Sequence, residues 1–153
     1  MISPNAWASS PSGDQLSPDQ RSTINNLNTP ATVSSLGSSK PKGSSATPAS
    51  SKRLSLYRGS FLMWARDTAT WYYDYSRVNS STLWQEAGYV FPNTSQAKGT
   101  SRYYTATTKH SWRGRYTIGA GTTTPWGSVN LYAADYSTDW QPYRNGAGTG
   151  QWN

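Results

Sequence analysis

The sequence predicts an all-β fold, an antiparallel β-sandwich or small barrel of about six strands, preceded by a disordered N-terminal segment. Three observations carry this reading. Of the 8 Trp, 11 Tyr and 2 Phe, every one except Trp7 lies at or beyond Tyr57. That same stretch alternates with period two between β-branched or aromatic residues and polar ones, punctuated at short intervals by Gly, Pro, Asn and Asp. Before Leu54 the chain is instead dominated by Ser, Thr, Pro, Asn and Gly, which hold too little apolar area to offset the entropy of ordering. The expected division is a Ser/Thr/Pro-rich tail or linker over 1–53 and an aromatic-rich all-β domain over 54–153.

Within the tail, Pro11, Pro18, Pro30, Pro41 and Pro48 recur, and the run from Ser34 to Ser51 is almost wholly small or polar. One interruption stands out. Ser17 is a helix N-cap, Pro18 fits the first helical position, and Asp19 adds acidic character to the first turn. Only Leu16, Ile24 and Leu27 are available to pack, so the expectation is at most a marginal helix.

The strands are expected at Ser60 to Arg66, Ala69 to Ser76, Leu83 to Phe91, Ser101 to Thr108, His110 to Gly119 and Gly127 to Tyr136. The first two read as a tight hairpin turning at Asp67-Thr68, and Gly88 reads as a bulge. The cleanest alternation places Trp112, Gly114, Tyr116 and Ile118 inward and Arg113, Arg115 and Thr117 outward. Turns are expected at 78–81, 92–94, 97–99 and 119–121 with Pro125.

Composition also excludes chemistry. With no cysteine there is no disulfide, no Cys-based zinc or iron–sulfur site and no thiol nucleophile. His110 is the only histidine, so a poly-histidine metal site is excluded, and its Lys109-His110-Ser111 setting reads as an exposed turn. No metal, cofactor or catalytic residue is expected. Five carboxylates remain in the domain for a glycosidase-like pair; the candidates are Asp67, Asp74 and Glu86, each of which has a simpler reading as a turn residue or an arginine partner. Gly119-Ala120-Gly121 reads as a loop, because neither a helix nor a lysine follows it in the manner of a phosphate-binding loop.

The formal net charge is +7, divided as +3 before Leu54 and +4 from there on. Arg102-Tyr103-Tyr104 beside His110 to Tyr116 forms a basic, aromatic strand pair, but +4 is a small surplus for a nucleic-acid module, and nucleic acid is not expected as a partner. No apolar run is long enough for a membrane span. The N-terminus lacks a signal-peptide pattern, although Ala6-Trp7-Ala8 has the form of a signal-peptidase site. An extracellular location is expected on the low charge density and the Tyr, Trp, Thr, Ser, Gly and Asn content of the domain.

The aromatic excess is the main functional signal. A core of this size accommodates roughly six to eight large rings, so several of the remainder must reach the surface, where Trp and Tyr stack on sugars, bases or partner side chains. The candidate ligand-binding set is Tyr72, Trp84, Tyr104, Trp126, Tyr132 and Trp140, together with Arg113 and Arg115; Tyr136 belongs to the same outward group. The segment Trp71-Tyr72-Tyr73-Asp74-Tyr75-Ser76 resembles the Tyr/Ser-rich strand of the secreted lactococcin-type bacteriocins. That resemblance spans a handful of residues, and no site residue is carried over from it. The expected function is an exported, non-catalytic binding module for carbohydrate or a cell-surface polymer; the alternative is a secreted bacteriocin-like toxin or inhibitor acting on a protein or envelope target.

Overall fold

A computed structural model describes residues 15–35 and 50–153. In chain order the elements are α1 (Pro18–Leu27), β1 (Ala31–Ser35), β2 (Ser50–Ser60), β3 (Met63–Tyr73), β4 (Val78–Tyr89), β5 (Thr94–Thr105), β6 (His110–Thr124), β7 (Gly127–Pro142) and β8 (Gly148–Trp152). They form two antiparallel sheets, one of five strands in the order β1-β8-β7-β6-β5 and one of three in the order β2-β3-β4. The sheets pack as a sandwich, as the alternation predicts. On β3 the residues Met63, Ala65, Ala69, Trp71 and Tyr73 point inward, and β6 and β7 answer with Tyr116, Ile118, Ala120, Tyr136 and Trp140.

The largest departure from the sequence reading lies in residues 15–35, which composition assigns to the tail. Here they form α1 and β1. The helix begins with a capping box: Ser17 Oγ accepts from the Gln20 amide (3.0 Å), and Gln20 Oε1 accepts from the Ser17 amide (2.8 Å). Leu16, Ile24 and Leu27 are fully buried against Met63, Ile118, Tyr136 and Trp152, so the three apolar residues suffice to dock a helix rather than leave it marginal. Polar contacts complete the docking. The Gln20 side chain donates to Asn93 Oδ1 (2.7 Å) and to the Gly121 carbonyl (2.8 Å), and Trp152 Nε1 donates to the Leu27 carbonyl (2.7 Å). Arg58 holds the carbonyls of Asn26 and Thr29. β1 then pairs with β8 from Ala31↔Trp152 to Ser35↔Gly148. The rest of the expected tail, 1–14 and 36–49, lies outside the described residues.

Strand boundaries differ in instructive ways. The expected hairpin at Asp67-Thr68 does not form. β3 runs unbroken through it, and the turn falls at Phe61-Leu62, where Gly59 adopts a positive φ of 104° and has no room for a Cβ beside the Met63 carbonyl. Asp67 can remain in a strand because donors from the facing sheet meet its carboxylate. Gly119, Ala120 and Gly121 are interior to β6 rather than a loop; Gly119 and Gly121 lie against backbone carbonyls where a Cβ would collide. The expected turn at 97–99 is a bulge within β5. Conversely, β3 and β4 stay in register through Gly88, where a bulge is expected; the missing side chain there makes room for the Trp64 indole.

The two ends of the sandwich are built differently. At one end the turns after β3, β5 and β7 are knit by backbone hydrogen bonds, Tyr75 to Arg144, Val78 to Thr107 and Arg144 to Thr108. At the other lie the turns after β2, β4 and β6, where the Val90 amide donates to the Leu62 carbonyl (2.8 Å) and Gln20 of α1 ties Asn93 to Gly121.

Candidate functional site

The outward face of the three-stranded sheet carries an array of rings. On β3 the outward residues are Trp64, Arg66, Thr68, Thr70 and Tyr72, alternating with the buried set. Register places Gly59 and Gly88 beside Trp64, Tyr57 and Glu86 beside Arg66, Ser55 and Trp84 beside Thr68, and Ser51 and Ser80 beside Tyr72. A Cβ on Gly88 would stand 2.4 Å from Trp64 Nε1, so the glycine lets the indole lie across β4. From the β2 side, Tyr57 stacks on Trp64 with ring centroids 5.8 Å apart and planes 29° from parallel. The Arg66 guanidinium sits 5.5 Å from the Tyr57 ring centre and 5.6 Å from that of Trp64, which fixes both rings in place. Trp84 is 67% exposed and Tyr72 48%, each surrounded by hydroxyl side chains. Trp64, the Trp84 row and Tyr72 succeed one another at four-residue steps, about 13 Å each at the rise of a strand.

The candidate residues named from sequence fall in five separate places. Tyr72 and Trp84 belong to this platform. Arg113 and Arg115 share the outer face of the five-stranded sheet, as their alternation predicts; Arg115 and Lys98 line an open cleft of about 900 Å³, and with Arg113 a smaller one of about 150 Å³. There Arg113 pairs with Asp139 at 3.5 Å and lies 5.1 Å from the Tyr103 ring centre. Tyr104 sits at the end of β5 with the Lys109 ammonium 5.5 Å from its ring centre, and Trp126 is at the tip of the β6–β7 turn. The outward reading of the last three is corrected. Tyr136 and Trp140 are buried, and Tyr132 is half-buried with its hydroxyl 3.0 Å from that of Tyr136 and 3.3 Å from Asn28 Oδ1. These residues dock α1 and fill the core, because β7 twists across from an exposed first half to a covered second half. Tyr57, Trp64 and Arg66 join this face through strand register, which nothing in their sequence setting signals.

The three carboxylates considered for hydrolysis do not meet. Asp67 is buried between the sheets, where it accepts from Trp140 Nε1 at 3.0 Å and from the hydroxyls of Thr138 and Tyr116. Burial raises its pKa, against the lowering effect of these bonds, and the nearby negative charge adds to the burial that raises Tyr116. Asp74 caps its own turn, accepting from the Ser76 hydroxyl and from the amides of Arg77 and Ser76, and these bonds, the hydroxyl's foremost, hold its pKa at about 2. Glu86 faces outward opposite Arg66. These three therefore form no paired acid and base.

His110 is also corrected, from an exposed turn residue to a buried one. Its Nδ1 lies 2.5 Å from Ser81 Oγ, which accepts from Trp112 Nε1 at 2.8 Å. Arg102 Nη1 also approaches Nδ1 at 3.4 Å, and because a guanidinium only donates, Nδ1 is the acceptor, Ser81 donates to it and the ring is neutral. Burial and then the Arg102 charge lower its pKa below 6.5. A depressed value means that its contribution to stability is present above pH 6.5 and is lost as pH falls through the folded value. Thermal melts at pH 7 and pH 5 should accordingly show a larger loss for the native chain than for His110→Gln, which keeps an acceptor for Ser81 without titrating; equal losses would remove His110 as the cause.

No family model, curated protein or solved structure matches this chain. Among the described residues no helix is long and apolar enough to cross a membrane, and no group of His, Cys, Asp and Glu is arranged to hold a metal ion.

Proposed function

We propose that the protein is a binding module that holds an extended carbohydrate chain, or a cell-surface polymer of similar chemistry, across the outer face of its three-stranded sheet. The observation that carries this reading is the placement of Tyr57, Trp64, Trp84 and Tyr72 on one rigid sheet surface, with hydroxyl residues and the charged Arg53, Arg66 and Glu86 between them. Sugar rings offer apolar C–H faces that stack on indole and phenol, with hydroxyls around their edges that hydrogen-bond to Ser and Thr. Rigid rings bind with little loss of side-chain freedom, and here Arg66 and Gly88 hold two of them in advance. A platform running from Trp64 to Tyr72, roughly 26 Å at strand rise, suits a chain of several sugars better than a monosaccharide.

The test is a polysaccharide pull-down panel with tryptophan fluorescence as readout. Trp84→Ala and Tyr72→Ala are both expected to weaken binding by about tenfold or more, in line with the roughly 1–3 kcal/mol attributed to stacking one ring on an aromatic side chain. Both side chains are exposed, so neither change should alter the melting temperature appreciably. Arg115→Ala, on the opposite sheet, is expected to bind as the native chain does. A panel of neutral and anionic polysaccharides that neither binds nor quenches would sink the proposal.

A further inference from the structure

Turns in a β-sandwich need residues that bend the chain, and at one end of this molecule they are of that kind: Asp74 to Arg77, Ala106 to Lys109 and Arg144 to Gly146, rich in charge and polarity. At the opposite end the same architecture carries different side chains. The β2–β3 turn presents Phe61, the β4–β5 turn presents Val90 and Phe91, and the β6–β7 turn presents Trp126; they are 68%, 48%, 66% and 92% exposed. The geometry of these turns does not call for such residues, and nothing within the described fold covers them.

Charge is distributed with the same asymmetry. Residues 59–65, 87–97 and 116–134, which include all three turns and the strand ends leading into them, contain no Asp, Glu, Lys, Arg or His, in a chain carrying 14 basic and 7 acidic residues. Of the charged residues on the adjoining elements, Arg21 and Arg58 are engaged with backbone carbonyls, and Asp19 stands exposed in the first turn of α1. The tips also stand at different heights. Gly121 lies beside the Pro92 carbonyl, and from there Thr122 to Thr124 carry the β6–β7 hairpin about 10 Å further before it turns at Trp126.

We infer that this end of the sandwich docks on a lipid bilayer by inserting its three turns into the interface. A protein partner must match relief of this kind in shape, whereas a bilayer deforms around projecting tips and excludes only charge. Trp126 suits the interface in particular, since its indole combines an apolar body with a polar N–H. Insertion to the depth usual for interfacial segments, about 5–10 Å, immerses the hairpin tip. The basic turn residues Arg77, Lys109 and Arg144 lie at the opposite end, about a strand's length away and well beyond the roughly 8–10 Å over which charge acts at physiological salt, so apolar insertion and not charge carries the attraction. This docking is independent of the polysaccharide platform, which occupies a sheet face rather than an end.

Sedimentation of the full chain with phosphatidylcholine vesicles, and with vesicles containing a phosphatidylglycerol fraction, tests the inference, with the tryptophan emission maximum as second readout. Binding to both compositions is expected, of similar strength and with little dependence on salt. Trp126→Ser and the double change Phe61→Ser with Phe91→Ser should each reduce partition by about tenfold or more in both lipids, and Trp126→Ser should diminish the blue shift. Tyr104→Ser, an exposed ring at the opposite end, should partition as the native chain does. Absence of binding to either vesicle, binding to the anionic vesicle alone with no effect of the tip changes, or a dimer in solution that those changes dissociate would each overturn it, the last in favour of a protein interface.

Discussion

Asp67→Ala is expected to destabilise the fold by about 3–5 kcal/mol, a large share of the total for a domain of this size. The carboxylate is the common acceptor of Thr138 Oγ1, Trp140 Nε1 and the Tyr116 hydroxyl, which reach it from β6 and β7 across the sandwich. Tyr116 has a second acceptor in the Arg66 carbonyl, so alanine leaves the Thr138 and Trp140 donors buried without a partner, beside the space the carboxylate filled. Gly114 packs beneath this group: a Cβ there would lie 2.7 Å from Thr138 Oγ1 and 2.9 Å from Asp67 Oδ2. Chemical denaturation would measure the loss, and a midpoint within experimental error of the native one would refute the role assigned to the carboxylate. Its pH dependence has a definite sign. Because burial raises the pKa above 3.8, the folded state holds the proton more tightly than the unfolded chain, so the contribution is greatest at acid pH and declines as pH rises through the folded value. Stability of the native chain relative to Asp67→Asn should fall across that window.

A chain beginning at Ser50 is expected not to reach a stable fold, although composition alone would place the domain near there. Removing the earlier residues uncovers the surface sealed by Leu16, Ile24 and Leu27, each worth about 1.5–3 kcal/mol of burial. It also strips β1 from β8, leaving that strand as an unpaired sheet edge, and deprives Trp152 Nε1 of its acceptor. Aggregation or a molten state by near-ultraviolet circular dichroism is the expected result; a cooperative melt at the native temperature would show that α1 is dispensable. The milder change Ile24→Ala, at a position with no exposure, should cost about 2–4 kcal/mol in urea unfolding.

Legibility from sequence followed periodicity. The alternation from Trp112 to Ile118 predicted which residues of β6 point inward, and it held because a strand repeats every two residues whatever it packs against. Where the signal was a residue type instead of a repeat, it misled. Asp67 reads as a turn former, His110 as exposed and Gly119 to Gly121 as a loop, yet each is buried, because donors or backbone from distant strands satisfy or crowd it. The start of α1 is legible in Ser17 and Pro18, but its docking is not: its burial rests on three apolar side chains, and much of its docking runs through Gln20, Asn26 and Asn28, whose partners lie far along the chain.

The candidate site divides in the same way. Tyr72 and Trp84 could be picked out as surplus aromatics, but Trp140 and Tyr136 could not be told apart from them, since strand alternation gives two faces without saying which one a second sheet will cover. The sequence by itself determined the all-β class, the absence of cysteine chemistry and the surplus of rings, which are properties of composition and local repeat. Only the tertiary structure decided that residues 15–35 belong to the fold, that Tyr57 and Trp64 join Tyr72 and Trp84 on one face, and that three uncharged turns share one end. Each of these depends on strand register and on contacts between residues far apart in the chain, which no local pattern encodes.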